Sequence, residues 1–146
     1  MKEELIIKLN QFFDKNPNLK GIPSNDVEIK EAETSLGLVF NKDYTEFIKN
    51  FGGAYAGITV HGFKNGSSIG KETVVDLTNM GRKIFNENEL FPEINECLVF
   101  SDDGSGNPIA IAKDNSVVLF DLDTEEKTTL AKSFEELIEN NFSDWE

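Results

Sequence analysis

Two adjacent carboxylates, Asp102 and Asp103, open a run of small and flexible residues in the stretch FSDDGSGNPIAIA. Carboxylates close to glycines are typical of calcium loops, and glycine-rich loops also hold phosphate groups. A calcium loop of the EF-hand type needs oxygen ligands at alternate positions and a glutamate at its twelfth position. Counted from Asp102, the third and twelfth positions hold Gly104 and Lys113. The spacing therefore argues against an EF-hand.

The same stretch is a poor candidate for a phosphate-binding loop. It lacks the Gly-Lys-Ser/Thr run, and Pro108 and an apolar alternation follow where a helix would be required. Two glycines supply positive φ angles, and Asp and Asn side chains hydrogen-bond to their own backbone in turns. We therefore predict a turn between two strands at residues 102–107 that holds no metal. Some role in holding a ligand is the alternative.

Other residues that could do chemistry are few. His61 is the only histidine and Cys97 the only cysteine, so a histidine-based metal cluster and an intramolecular disulfide are both ruled out. A Cys97–His61 dyad is conceivable, since a thiol can be activated by an imidazole. However, Cys97 directly precedes the apolar run LVF, which predicts a small buried core residue.

Paired carboxylates are the remaining catalytic candidate. Asp121 and Asp123 would share one face of an extended strand, where a glycosidase places its acid and its base. With 27 acidic residues in the chain, coincidence explains such a pair. The sequence contains neither a nucleophile elbow nor a glycine-rich dinucleotide fingerprint. We therefore predict a protein that is not an enzyme and needs no cofactor.

Three helices are predicted in the N-terminal part, because apolar residues recur at helical spacing in KEELIIKLNQFFDKN, IPSNDVEIKEAETSLG and NKDYTEFIKNF. Asn25 and Glu28 predict a capping box for the second helix, and Gly37 predicts its end. Asn41 is a predicted cap for the third helix. The apolar stripe of that helix, which must face the sheet, consists of Tyr44, Phe47, Ile48 and Phe51.

The period then changes from helix to strand. Strands are predicted at GITVHGF, CLVFS, PIAIAK and SVVLFDL, with a weaker strand or extended link at GKETVVDL and an edge strand at KTTLA. A short helix is predicted at TNMGRKIFNEN, although it contains Gly81. SFEELIENNFSDW predicts a closing helix with a capping box at Ser133 and Glu136 and with Trp145 packed. Helices, then an antiparallel meander, then a helix define an α+β domain.

The net charge of −13 arises in the C-terminal part. Residues 1–85 hold 11 acids and 11 bases, whereas residues 86–146 hold 16 acids and three bases. Such a surface repels nucleic acid and anionic membranes and speeds encounter with a basic partner. Solubility alone is the other explanation. The lone cysteine, the lack of a long apolar run and the absence of a secretory signal pattern predict a soluble cytoplasmic protein.

Several of these segments together resemble the SUKH superfamily. The stretch IPSNDVEIKEAETSLGLVFNKDYTEFIKNFGGA resembles its opening, with Leu36-Gly37, then Asp43-Tyr44 and an aromatic helix that ends in glycine. FSDDGSGNPIAIA is similar to the strand, glycine turn and strand of that family, VVLFDLDTEE to its acidic strand end, and SFEELI to its final helix. Asn41 stands where the family usually has a proline. The resemblance covers about residues 22–140.

The resemblance implies a curved, mostly antiparallel sheet with N-terminal helices and a closing C-terminal helix, forming one domain over residues 1–146. Many bacterial members of this superfamily look like immunity proteins that neutralise polymorphic toxins, often nucleases. Related fungal members are regulators of cell-wall synthesis that act as interaction hubs. We therefore expect an immunity protein with a basic toxin as its partner. The alternatives are a regulatory or scaffold module and an enzyme or small-ligand binder.

A partner-binding site is predicted among the C-terminal acids. Carboxylates at or just after the predicted strand ends can gather along one rim of a sheet, and unpaired charges there should be solvated and available. The six candidates are Asp102, Asp103, Asp121, Asp123, Glu125 and Glu126.

Overall fold

The computed structural model describes residues 1–143, so the predicted packing of Trp145 lies outside the described residues. This part of the chain contains five α-helices and two antiparallel sheets, which confirms the α+β class. The helices are α1 (Glu3–Lys15), α2 (Asp26–Leu36), α3 (Lys42–Phe51), α4 (Val74–Glu87) and α5 (Phe134–Phe142). The strands are β1 (Ala54–Tyr55), β2 (Thr59–Val60), β3 (Leu98–Asp102), β4 (Pro108–Ile111), β5 (Val117–Asp121) and β6 (Glu126–Ala131). Two 3-10 helices span Pro17–Leu19 and Pro92–Glu96.

The predicted helix boundaries of α2 and α3 are confirmed. Asn25 Oδ1 accepts a hydrogen bond from the Glu28 N–H at 2.9 Å, and the Glu28 carboxylate accepts one from the Asn25 N–H at 3.1 Å. Gly37 ends α2 with a φ of 67°, a left-handed conformation that suits glycine. Asn41 Oδ1 accepts from the Tyr44 N–H at 2.9 Å, so Asn41 caps α3 as predicted.

The capping of α5 differs slightly from a capping box. Ser133 Oγ accepts a hydrogen bond from the Glu136 N–H at 3.1 Å, as predicted. The Glu136 carboxylate, however, accepts from the N–H of Lys132 at 2.6 Å, one residue earlier than a capping box requires. The first turn of α5 is therefore held by both side chains, and the closing helix forms where the sequence places it.

The main sheet is an antiparallel meander with the strand order β3-β4-β5-β6, which confirms the predicted meander and the edge position of β6. The pairing registers leave one extra residue in β3, Phe100, and one in β6, Leu130, and bulges of this kind bend the strand and curve a sheet. Only the centre of the predicted GITVHGF strand forms, as β2, which pairs with β1.

The predicted strand or extended link at GKETVVDL is wrong, because this segment contains the start of α4. Thr73 and Asp76 form a capping box, with hydrogen bonds of 3.1 and 2.9 Å between each side chain and the other residue's N–H. The predicted short helix TNMGRKIFNEN is the remainder of the same 14-residue helix. Gly81 has a packing role here, since a Cβ at this position would lie 3.2 Å from Cγ2 of Val99.

Both faces of the main sheet are buried along β3, β4 and β5, which explains the continuous apolar runs of these strands, whereas β6 is mostly exposed. One face packs Phe100, Ile109 and Val117 against a large core that includes residues of α1, α2, α3 and α5. The other face packs Val99, Ala110, Val118 and Phe120 against a smaller core with Phe85 of α4, Ile94 and Cys97. The sequence predicted a short helix at TNMGRKIFNEN, but not that this helix covers the second face.

The stripe of α3 lies at the centre of the larger core, as predicted. Tyr44, Phe47, Ile48 and Phe51 are fully buried. The ring of Phe134 from α5 packs edge-on against Tyr44 and Phe47, with centroid distances of 5.6 and 5.7 Å. The Tyr44 hydroxyl donates a 2.6 Å hydrogen bond to the carbonyl of His61, so the one polar atom of this ring is satisfied.

Candidate functional site

The six predicted site residues lie at one end of the main sheet. In this meander β3 ends, β4 begins, β5 ends and β6 begins at the same end, with Asp102 opposite Pro108 and Asp121 opposite Glu126. Neighbouring strands are about 4.8 Å apart, so four strand ends span about 15 Å. We call the group the acidic rim, and its members are Asp102, Asp103, Asp121, Asp123, Glu125 and Glu126.

The loop at residues 102–107 is a turn, as predicted. Gly104 and Gly106 have φ angles of 86° and 88°, which favour glycine. Asp103 Oδ1 accepts from the N–H groups of Ser105 at 2.8 Å and Asn107 at 3.2 Å, and its Oδ2 accepts from the Asn107 amide at 3.0 Å. The Asn107 amide and these backbone N–H groups hold the pKa of Asp103 below its ordinary value. In residues 1–143 there is no group of three acidic, histidine or cysteine side chains placed to hold a metal.

The turn between β5 and β6 is built in the same way. Asp121 Oδ1 accepts from the N–H groups of Asp123 at 2.9 Å and Thr124 at 3.1 Å. The predicted sharing of one strand face by Asp121 and Asp123 is wrong, because β5 ends at Asp121 and Asp123 lies in the turn. The N–H of Leu122 donates to Asn107 Oδ1 at 3.3 Å, which ties the two rim loops together.

The members of the acidic rim therefore differ in their structural roles. Asp103 and Asp121 accept hydrogen bonds that shape the two loops, and Asp102 Oδ1 accepts one from the Gly104 N–H at 2.7 Å. The carboxylates of Asp123, Glu125 and Glu126 are exposed and accept no hydrogen bond from the described residues. Both oxygens of each are therefore free to contact a partner without loss of a turn, whereas Asp102 has one oxygen, Oδ2, that accepts no hydrogen bond within residues 1–143.

The negative charge of the rim is not neutralised within the described part of the chain. Two of the three C-terminal lysines pair elsewhere: Lys127 Nζ lies 2.9 Å from Glu93, and Lys113 Nζ lies 3.3 Å from Glu96. In residues 1–143 no lysine, arginine or N-terminal amine lies within 4.0 Å of a rim carboxylate. Asp121 and Glu126 are cross-strand neighbours, and like charges in that position destabilise a sheet.

The two residues of the conceivable nucleophilic dyad have other partners. Cys97 is 1% exposed in the smaller core, and its thiol donates to the Glu93 carbonyl at 3.3 Å. His61 is buried, with Nδ1 2.6 Å from the Glu72 carbonyl. Burial, with the Glu93 carboxylate nearby, raises the pKa of the Cys97 thiol to about 11. Cys97 is thus the buried core residue that the sequence predicted.

We expect Cys97 to be inert towards thiol reagents in the folded protein. The thiolate is the reactive species, and a rise in the thiol pKa from 9.0 to about 11 lowers the thiolate population about 100-fold at neutral pH. Labelling with an aromatic disulfide reagent should be at least about 100-fold slower in the native protein than in urea. Native labelling at the rate of an unfolded peptide would contradict this placement of the side chain.

An apolar surface that was not predicted from the sequence lies beside the acidic rim. Leu77, Met80 and Ile84 of α4 lie on the side of the helix that borders the rim loops. Their i, i+3, i+7 spacing is a helical signal in the sequence. The prediction of an extended segment at the start of α4 hid this helical spacing.

The chain belongs to the SMI1 / KNR4 family (SUKH-1), which matches residues 23–140. This match confirms the resemblance found in the sequence. Domains of this kind are shared by immunity proteins and regulators, are generally not enzymes, and interact with proteins such as toxins. No curated protein matches the chain significantly. None of the helices in residues 1–143 is long and apolar enough to cross a membrane.

Proposed function

We propose that the protein is an immunity protein that binds and neutralises a cognate toxin through its acidic rim. The observation that carries the proposal is the set of six carboxylates at one sheet end, none paired with a cation in the described structure. Family membership supports a protein-binding role, since domains of this kind occur in immunity proteins. A charged surface that the fold does not neutralise is available for a partner of opposite charge.

The partner that fits this surface best is a basic nuclease domain. A nuclease must attract phosphate, so its cleft is positively charged. An acidic inhibitor can occupy such a cleft or lie beside it, and the opposite fields speed association. The excess of 13 negative charges in residues 86–146 supplies the required field. We expect neither nucleic acid nor a membrane to be a partner, because the same field repels both.

We also propose that the protein has no catalytic activity and needs no cofactor. It forms one domain over residues 1–146 and acts in the cytoplasm. The buried thiol and the absence of a metal-ligand group in residues 1–143 support a binding role. A regulatory or scaffold module of the same family is the competing function. It predicts binding to a host protein and no protection against a toxin, so protection of cells that express the toxin separates the two.

Charge reversal in the rim should slow the association with a basic toxin. We expect Asp123→Lys/Glu126→Lys to lower the association rate constant about tenfold or more at low salt and to flatten its salt dependence. Neither side chain holds a turn, so folding should be preserved. The rates are measured by stopped-flow mixing with the toxin domain at two salt concentrations.

The matched control places the same charge change outside the rim. Asp14→Lys/Glu31→Lys alters two exposed acids that form no ion pair within the described residues, one on α1 and one on α2. It should retain most of the wild-type rate, because a field at the rim acts over about a Debye length. Equal association rates for the rim variant and the wild type at low salt would exclude the rim as the toxin-binding site. The N-terminal helices would then be the next candidate site.

A further inference from the structure

A preformed trough runs between α4 and the acidic rim. Leu77, Met80 and Ile84 form its helical wall, with Met80 51% and Ile84 39% exposed. The two rim loops form the opposite wall, which includes Leu122 and Asp123. The enclosed volume is about 210 Å³. Large apolar side chains that line a concave surface are typical of binding sites for a protruding side chain.

The trough continues towards the other end of α4. A second depression of about 410 Å³ shares Leu77, Met80 and Asp102 with the first and extends to Glu72. The two together make one elongated groove with Met80 near its middle. Methionine is flexible and polarisable, so it adapts to the shape of an apolar side chain packed against it.

The helical wall is fixed firmly to the sheet. Thr78 Oγ1 accepts a hydrogen bond from the Val99 N–H at 3.0 Å and donates one to the Val99 carbonyl at 3.3 Å. Gly81 allows the helix to approach Val99 closely. The opposite wall is fixed by the hydrogen bond between the two rim loops. A groove with both walls fixed loses little conformational entropy when a ligand enters.

The charges around the trough have one sign. Glu72, Asp102 and Asp123 line its length, and no lysine or arginine lines either depression within the described residues. An apolar floor with anionic margins complements a segment that carries an apolar side chain between basic ones. The same arrangement disfavours a second copy of this chain, because two acidic rims would be brought together.

We infer that the trough between α4 and the rim binds a cationic amphipathic segment of the partner protein. An apolar side chain of that segment packs against Met80 and Ile84, and flanking lysines or arginines contact Asp102, Asp123 and Glu72. This inference rests on the proposed function for the identity of the partner. It adds that apolar contacts at α4, and not charge alone, hold the complex.

The test uses two synthetic peptides of equal charge, one amphipathic with leucine and lysine, the other with serine in place of every leucine. Each is titrated into the full-length, isotopically labelled protein and followed by amide chemical shifts. We expect the leucine peptide to bind at least about tenfold more tightly, since it buries apolar surface. It should shift the amides of residues 77–84, 104–107 and 122–124.

Substitutions on the wall supply the controls. Met80→Lys and Ile84→Lys should remove the preference for the leucine peptide, because each places a cation in the apolar helical wall. Val39→Lys makes the same change at a residue that is 91% exposed and lies near the opposite sheet end, and it should leave the preference intact. Amide spectra of the free variants establish that each one folds.

Two outcomes would overturn the inference: equal affinity for both peptides, or shifts confined to residues outside the trough. Shifts of the same amides on raising the protein concentration without peptide would identify a second copy as the occupant and overturn it as well. The proposed function and the trough can be disproved independently of each other. If the leucine peptide binds the trough but no toxin does, only the immunity role is lost; if Met80→Lys binds the toxin like the wild type, only the trough is excluded.

Discussion

Phe47→Ala should lower the free energy of unfolding by about 3–5 kcal/mol, the usual cost of removing a buried aromatic ring. The ring of Phe47 is fully buried, and its centroid lies 5.2 Å from that of Phe51 and 5.7 Å from that of Phe134. Truncation leaves a cavity where α3, α5 and the sheet meet. Urea denaturation of the purified variant measures the loss.

Phe63→Ala provides the matched control for this substitution. Phe63 is half-buried at the edge of the same core, so its truncation removes less buried surface and should cost less than half as much. Loss of toxin binding in Phe47→Ala should accompany loss of folding. A Phe47→Ala protein with unchanged stability and no toxin binding would make Phe47 a contact residue.

Gly52→Ala should be the most damaging of the glycine substitutions at helix ends. Gly52 ends α3 with φ 64° and ψ −152°, a conformation close to the region that only glycine adopts readily. A Cβ there would overlap the carbonyl oxygen of Ile22 and lie 2.7 Å from its nitrogen. Both contacts are with backbone, so relief requires movement of the chain, and we expect a cost of about 3 kcal/mol or more.

Gly37→Ala isolates the contribution of the backbone angle. Gly37 also ends a helix, with φ 67°, but a Cβ there would meet nothing within 4 Å. Its replacement should cost only about 1 kcal/mol, the penalty for a left-handed alanine. Both variants are compared by urea denaturation, and equal costs would contradict the close approach of Gly52 to Ile22.

The sequence predicts best those features that depend on residues close together in the chain. The caps at Asn25 and Asn41 each involve a partner three residues away, so their pattern is visible without the fold. Thr73 and Asp76 have the same three-residue spacing, but two adjacent valines, Val74 and Val75, indicated an extended segment. The β propensity of these residues concealed a capping box that the local spacing contains.

The position of α4 could not be obtained from local patterns. Its helical stripe packs against the sheet face that the N-terminal helices leave open. This close packing favours glycine at position 81, because Val99 lies directly beneath it. That contact joins residues 18 apart in the chain and depends on the path of the whole meander. The trough beside the rim was therefore also hidden, since it needs α4 and both rim loops in place.

The gathering of the rim acids followed from topology alone. In an antiparallel meander alternate connections lie at the same sheet end, so acids after β3 and β5 had to meet there. Their separate roles did not follow. Asp103 and Asp121 shape turns through hydrogen bonds, whereas the carboxylates of Asp123 and Glu126 accept none from the described residues. The positions of these residues in the sequence do not distinguish the two roles.

The most direct test of the immunity role is purification of the tagged protein together with its cognate toxin domain. We expect a stoichiometric complex at low salt that weakens as salt is raised, and a toxin that is inactive within it. Absence of any complex at low salt, with both proteins folded, would contradict the immunity role.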